Sequence, residues 1–185
     1  MRQAIRPVSP AAKSRPRNDG DNTLRAILCA DQNWGIGYQN SLLIQIPSDM
    51  RFFREKTLGN IVVMGRKTLE SLPGGRPLPD RDNIILSRDP ALRVRGAAVV
   101  HDIEELLSLL SDVDPDRVYV MGGAEVYRQL LPYCDTVYVT KVNYAYRADA
   151  FFPDLDQDEN WILTEESEEQ TCFDIDFTFR TYQKR

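Results

Sequence analysis

Ile61-Val62-Val63-Met64-Gly65-Arg66-Lys67-Thr68 decides the fold: four apolar residues run into a glycine, and polar residues open a helix directly after it. An unbroken apolar run this short reads as a strand covered on both faces, the signature of a parallel α/β sheet. Val118-Tyr119-Val120-Met121-Gly122-Gly123-Ala124-Glu125 repeats the design. Free N–H groups at a helix start attract anions, and glycine lets a ligand approach the backbone closely. Either turn alone is an ordinary strand–helix connection. Two in one sheet point to a ligand with extended phosphates lying across the strand ends.

Outward from these turns, the pattern predicts further strands at Leu24–Ala30, Asn83–Leu86, Ala97–Val100 and Thr136–Val142, with the two glycine-ended strands at Ile61–Met64 and Arg117–Met121. Helices are predicted at Ser48–Lys56, Lys67–Leu72, Ile103–Leu110 and Ala124–Leu131. Asp102 followed by Glu105 forms a capping box for the third, and Pro132 stops the fourth. Beyond Trp161 the texture changes: Ile162–Glu169 and Ile175–Gln183 alternate apolar and polar residues, as an antiparallel strand pair does. The expected architecture is α/β, a mixed, mostly parallel sheet of about eight strands with an antiparallel C-terminal edge and about four flanking helices.

Composition narrows the chemistry. The chain has 185 residues, 42% hydrophobic and 28% charged, enough for one globular domain. Residues 1–22 carry five basic and two acidic side chains with three prolines and no apolar periodicity; a disordered basic arm is expected there, with one domain over 23–185. Its arginines and lack of Glu resemble a transit peptide as much as an extension from an upstream start. The remaining residues hold 18 basic and 26 acidic groups. So acidic a body argues against nucleic acid or an anionic membrane as partner, and any anionic ligand must be met by a few placed arginines and backbone amides. Three scattered cysteines without a CxxC pair fit a reduced, cytoplasmic setting and no metal site, and His101, the only histidine, excludes chemistry that needs two. No apolar run is long enough to span a bilayer.

Ile46-Pro47-Ser48-Asp49-Met50-Arg51-Phe52-Phe53 is the stretch where acid chemistry is expected. Pro47 and Ser48 fit a helix start, with Ser48 as N-cap; helical spacing then stacks Asp49 and Phe53, with Met50 beside them. A carboxyl among apolar neighbours has its pKa raised and can hold or pass a proton near neutral pH. These eight residues alone equally allow Asp49 to face water at the positive end of the helix, and alone that reading is preferred. Gly35-Ile36-Gly37-Tyr38-Gln39-Asn40 is a glycine-punctuated loop suited to a mobile cover, and it misses the dinucleotide fingerprint because Asn40 stands where the third glycine belongs. The turn at Gly65 lacks the upstream glycine of a P-loop, and no G-x-S-x-G elbow is present.

Taken together, these segments resemble dihydrofolate reductase from about Leu24 to the C-terminus. The resemblance is carried in order by Gly35-Ile36-Gly37-x-x-Asn40, Ile46-Pro47-x-Asp49 with Phe53, Met64-Gly65-Arg66-Lys67-Thr68, Arg76-Pro77-Leu78-Pro79-x-Arg81-x-Asn83, and Gly122-Gly123-Ala124-Glu125-Val126-Tyr127. It implies reduction of 7,8-dihydrofolate to 5,6,7,8-tetrahydrofolate with NADPH, hydride passing to pterin C6 and a proton to N5. It assigns Asp49 to the pterin 2-amino group and N3, with Thr140 supporting the carboxylate. Ile27, Leu28 and Cys29 are implied to line the pocket on one side, Met50 and Phe53 on the other, and Arg81 to grip the α-carboxylate of the glutamate tail. For NADPH it implies Cys29, Ile36, Gly65, Arg66, Lys67, Thr68, Ser87 and Arg88, together with Gly122, Gly123, Ala124, Glu125, Val126 and Tyr127; the Gly122–Gly123 peptide is the strained one beneath the cofactor. The loop Trp34–Ile44 corresponds to the family's mobile lid. Leu43-Ile44 depart from the family's Pro-Trp, which puts in question the water network near the pterin carbonyl. A monomer is expected. Two alternatives stand beside this reading: a reductase of the same fold from riboflavin synthesis, against which Asp49 and Arg81 argue, and a non-catalytic nucleotide- or folate-binding module.

Overall fold

The structure, a computed structural model, describes residues 23–185; the arm at residues 1–22 lies outside the described residues. Its strands are β1 (Leu24–Ala30), β2 (Gly35–Gly37), β3 (Ile61–Gly65), β4 (Asp82–Leu86), β5 (Ala97–Val100), β6 (Val118–Gly122), β7 (Cys134–Val142), β8 (Ala150–Phe151), β9 (Trp161–Glu166), β10 (Gln170–Cys172) and β11 (Ile175–Lys184). The α-helices are α1 (Pro47–Thr57), α2 (Arg66–Ser71), α3 (Ile103–Leu109) and α4 (Ala124–Leu130). One sheet runs β10-β11-β7-β1-β6-β3-β4-β5, with β9 also paired to β11. Every pairing from β7 to β5 is parallel, and the three made by β11 are antiparallel.

The unbroken apolar runs are explained by two cores, one on each face. Ile61 and Val63 of β3 join one cluster while Val62 and Met64 join the other, and all four are fully buried. Val118 and Val120 divide from Tyr119 in the same way along β6. Residues from α3 and α4 (Leu106, Val126, Leu130) close the first core; Phe52 and Phe53 of α1 and Leu69 of α2 close the second. Each such side chain contributes about 1.5–3 kcal/mol on burial, so both helix layers are fixed to the sheet by its alternation.

Topology places the two glycine turns side by side. The chain passes from β1 to β3, moves outward to β4 and β5, then returns to insert β6 between β1 and β3. Met64 of β3 therefore registers with Gly122 of β6, and the crevice forms where strand order reverses.

Local signals differ at several points. Ser48 is not the N-cap: α1 starts one residue earlier, with Pro47 at its first position and Ile46 as an N-cap without a side-chain bond. Ile46 is fully buried against Val142 and Phe177, so a hydrophobic anchor fixes this helix start in place of a hydroxyl. The α3 box is closed by Asp102 accepting from the Glu105 N–H at 2.7 Å, while Glu105 reaches back to the His101 N–H at 2.8 Å. The short strands β2, β8 and β10 carried no alternation long enough to read.

The loop after β1 is tied down. Asp31, 3% exposed, accepts from the N–H groups of Asn33 (2.9 Å), Gly35 (2.8 Å) and Tyr146 (2.9 Å). A Cβ at Gly35 would stand 2.8 Å from that of Ala148, so only glycine fits there. Asp31→Ala orphans three backbone donors and is expected to cost about 2–4 kcal/mol. Denaturant unfolding measures it, and an unchanged midpoint would show that the loop does not depend on this carboxylate.

Candidate active site

Asp49 lies in the first turn of α1 and reaches across to β7, where Thr140 Oγ1 donates to its Oδ1 at 2.6 Å. Thr140 is 1% exposed and registers with Cys29 of β1, so both side chains stand on the same sheet face. Burial raises the Asp49 carboxyl above the usual carboxylate range, and the Thr140 hydrogen bond opposes that rise without cancelling it. Burial, with the Asp49 charge as the next cause, also pushes the Cys29 thiol up, which makes it an inert wall residue.

Strand alternation sorts the predicted wall. Ile27 faces the second core and Cys29 packs against the cluster of Ile46, Val142 and Phe177, whereas Leu28 belongs to the first core on the opposite face of β1. The expectation that the Leu28 side chain lines the pocket is corrected for this reason: three consecutive strand residues cannot share one face. Met50 stands at the next helical position. It is 54% exposed, one helical step beyond Asp49.

On the same face of α1, Phe53 and Thr57 follow Asp49 at successive turns. Thr57 is fully buried, donates to the Phe53 carbonyl at 2.8 Å and accepts from Arg81 Nε at 3.2 Å. The Arg81 guanidinium lies 5.9 Å from the Phe53 ring centroid. Eight residues of helix thus set the acid and the arginine anchor about 12 Å apart. Asn83 holds the loop that carries Arg81, exchanging hydrogen bonds with both backbone groups of Leu78 at 2.9 Å and donating to the Arg81 carbonyl at 3.1 Å. Thr57 and Asp31 escaped the sequence reading, since a lone buried polar residue has no spacing to betray it; Asn83 was visible only as part of a motif.

The second half of the cleft is built by the glycine turns. The Gly122–Gly123 peptide bond is cis, and Gly122 has φ +128°, a conformation side-chain-bearing residues rarely adopt. A Cβ on Gly122 or Gly123 would stand 3.5 or 3.4 Å from Thr68 Oγ1, so the two turns nearly touch. Gly65 abuts Val126, whose side chain is buried, and Tyr127 is buried with its hydroxyl donating to the Ile27 carbonyl at 2.7 Å. Val126 and Tyr127 therefore support the floor between β1 and β6 from below, while Ala124 and Glu125 form the first turn of α4. Lys67 is exposed, and its carbonyl accepts from Asn40 Nδ2 at 3.1 Å, which ties the β2 loop to the start of α2. Ile36 of β2 is buried with Trp34 in the first core.

Arg66 pairs with Glu70 one turn on, at 2.6 Å and half exposed. Such a pair is worth about 0.3–0.5 kcal/mol, so an incoming phosphate can take the guanidinium easily. Ser87 and Arg88 follow β4; the Ser87 carbonyl lies 2.8 Å from His101 Nδ1, which must carry the hydrogen because a carbonyl only accepts. Arg88 is exposed, close enough to Glu125 to help lower that carboxyl's pKa, after the larger effects of Gln129 and Arg128. α2 and α4 have only six and seven residues, so anion binding here rests on local N–H groups and arginines more than on helix dipoles. This cradle of glycine backbone, Thr68 and two basic side chains fits a phosphate-bearing dinucleotide.

Comparison with known proteins agrees with this geometry. A family model, "Dihydrofolate reductase", matches residues 23–184. The chain belongs to the dihydrofolate reductase family. It is 37% identical over 163 residues to the dihydrofolate reductase of Bacillus subtilis (strain 168), covering 86% of this chain and 93% of the relative. It is 38% identical over 155 residues to that of Neisseria gonorrhoeae, covering 83% and 93%. Among solved structures, dihydrofolate reductase from Enterococcus faecalis complexed with NADP(H) and RAB-propyl superposes with a TM-score of 0.79 at 32% identity, covering 89% of this chain and 98% of that one. Among the described residues no helix is long and apolar enough to cross a membrane.

The acid of this dihydrofolate reductase family site makes a stability prediction. Because folding raises the Asp49 pKa, the protonated form is favoured in the native state. Its stabilising contribution is full below the unfolded value of about 3.9 and is lost as pH rises through the folded pKa. Asp49→Asn keeps an oxygen to accept from Thr140. It is expected to match the wild-type Tm near pH 3 and to exceed it at pH 7; a lower Tm at pH 7 would show that the native state favours the charged form.

Proposed function

We propose that this chain catalyses NADPH-dependent reduction of 7,8-dihydrofolate to 5,6,7,8-tetrahydrofolate. The observation that carries the reading is Asp49: a carboxyl held by burial above its ordinary range and fixed by Thr140, on the sheet face next to two adjoining glycine turns. Asp49 accepts hydrogen bonds from the pterin 2-amino group and N3, and promotes protonation at N5 through water. Ile27 and Cys29 line the ring on one side, Met50 and Phe53 on the other. Thr57 holds Arg81 so that its guanidinium takes the α-carboxylate of the glutamate tail by a bidentate pair. NADPH supplies the hydride when bound. Arg66, Thr68, Ser87 and Arg88 take its phosphates and adenosine side, with Lys67 beside them, and the two arginines favour the 2′-phosphorylated cofactor. Gly65, Gly122, Gly123, Ala124 and Glu125 present backbone to it, Ile36 and Cys29 face the nicotinamide, and Val126 and Tyr127 support the floor. Three unpaired thiols among the described residues support a reduced, cytoplasmic setting. Residues 23–185 act as one domain and as a monomer. Nothing in the site favours the riboflavin-pathway reaction or a silent binding module.

The decisive measurement is the fall in NADPH absorbance on adding dihydrofolate. Asp49→Asn is expected to lose at least about 100-fold in kcat at pH 7; a wild-type rate in that variant would remove the acid from the chemistry. Arg81→Leu is expected to raise KM for dihydrofolate about 10–100-fold with little change in kcat, as loss of a charge-assisted contact outside the reacting centre requires. An unchanged KM would take the tail away from Arg81.

A further inference from the structure

The turn that leads from β1 into the cover is held in a conformation its sequence does not favour. Trp34 has φ +62°, in the left-handed region that bulky side chains rarely adopt. Two side chains of opposite charge divide the backbone groups of this turn between them. The Asp31 carboxylate accepts from the N–H groups of Asn33 and Gly35. Lys141 of β7 takes the carbonyls: its Nζ donates to that of Asp31 at 2.6 Å and to that of Gln32 at 2.9 Å. The same Nζ lies 4.7 Å from the centroid of the Trp34 ring. An ammonium has three donors and no acceptor, so one lysine can serve both carbonyls and the ring at once.

The position of Lys141 in the strand gives this contact its meaning. It follows Thr140 directly, and strand alternation sends the two side chains to opposite faces of the sheet. Thr140 holds Asp49 on one face, and Lys141 holds the root of the cover on the other. From that root the chain runs through Trp34 into β2. The Trp34 ring packs against Phe152 and Tyr182, with centroids 6.1 and 5.8 Å away, and its carbonyl accepts from the Phe152 N–H at 2.9 Å. Only three residues separate Gln32 from Ile36, so a shift at the root reaches Ile36.

The consequence rests on the function proposed above, in which Ile36 faces the nicotinamide. Hydride transfer depends steeply on how the two rings are placed, and a misplacement of about 1 Å costs about 100-fold in rate. We propose that Lys141 is a positioning residue for hydride transfer: by bridging the Asp31 and Gln32 carbonyls beneath the Trp34 ring, it fixes the root of the cover and so the placement of Ile36 against the nicotinamide. The anchors assigned to dihydrofolate do not depend on it, since Asp49 and Phe53 belong to α1 and Arg81 to the loop before β4. Loss of Lys141 therefore acts on the chemical step and spares substrate binding.

The test is single-turnover hydride transfer on the full chain, preloaded with NADPH and mixed with saturating dihydrofolate, because product release can mask the chemical step in kcat. K141M keeps the apolar stem and removes the ammonium. Its rate constant is expected to fall about tenfold, with KM for dihydrofolate within about twofold of the wild type. K141R restores the charge and the donors, and is expected to recover at least about half of the wild-type rate constant. A first-order rate constant does not depend on how much of the enzyme is folded, so a lysine that only stabilised the fold would lower Tm and leave that constant unchanged. A wild-type rate constant in K141M, or a deficit that K141R does not relieve, would overturn the proposal. If K141M fails to fold, K141Q, too short and uncharged to bridge both carbonyls, must be at least about threefold slower; a wild-type rate constant there overturns the proposal equally. Failure of the underlying reading looks different: the wild type itself shows no NADPH oxidation with dihydrofolate.

Discussion

A carboxylate kept in a place where water cannot fully solvate it is the constraint from which the rest of this structure follows. Asp49 gains one strong acceptor contact from Thr140 and loses more in solvation, so its proton affinity stays high. Holding it there requires that the first turn of α1 not rotate, because a rotation of one residue would carry the carboxylate away from Thr140. The fully buried Ile46 at the N-cap, wedged between Val142 and Phe177, prevents that rotation. A side-chain hydroxyl at the cap would supply a hydrogen bond but no such lateral constraint.

The sheet supplies what the acid alone cannot. Inserting β6 between β1 and β3 brings Gly122 beside Met64 and Gly65, and it also lets the Tyr127 hydroxyl reach the Ile27 carbonyl under the floor. The acid face and the glycine face are thus two views of the same three strands. Motion of one relative to the other would break that buried hydrogen bond and part the cores on both sides. The cover is fastened at separate points: Asp31 at its start, Asn40 on the Lys67 carbonyl, and Gln39 N–H on Asp149 at 3.0 Å. The last two are exposed single bonds, so the tip is the part with least to hold it.

How much of this was legible follows from what kind of signal each feature leaves. Strands β3 and β6 announce themselves because burial on both faces forces an unbroken apolar run. The acid, the arginine and the glycine turns were readable together as spaced motifs. Ser48 misled because N-cap preference is a local statistic, and here burial of Ile46 outweighs it. Leu28 misled because a motif of consecutive residues says nothing about which face each one takes; strand geometry sends it to the other core. Asp31 and Thr57 left no trace at all. Each works by accepting hydrogen bonds from groups that are distant or invisible in sequence, and only coordinates reveal the partners. The short β2–β8 pair was hidden for a related reason, since two or three residues cannot display a period.

Charge placement is the remaining step of synthesis. A net acidic surface repels anions at long range, yet both ligands assigned here are anionic. The chain resolves this by grading how firmly its arginines are held. Arg25 and Arg180 sit in partly buried pairs and are committed to the fold. Arg66 is only lightly held by Glu70, and can exchange one anion for another with little loss. Arg81 is oriented by Thr57 and Phe53, neither of which is charged, so its full charge stays available to a carboxylate. Its partial burial, with Arg54 adding to the effect, lowers its pKa, yet a guanidinium starts so high that it stays protonated. Attraction therefore acts within a few ångströms of the cleft, inside the screening length, and not across the whole surface.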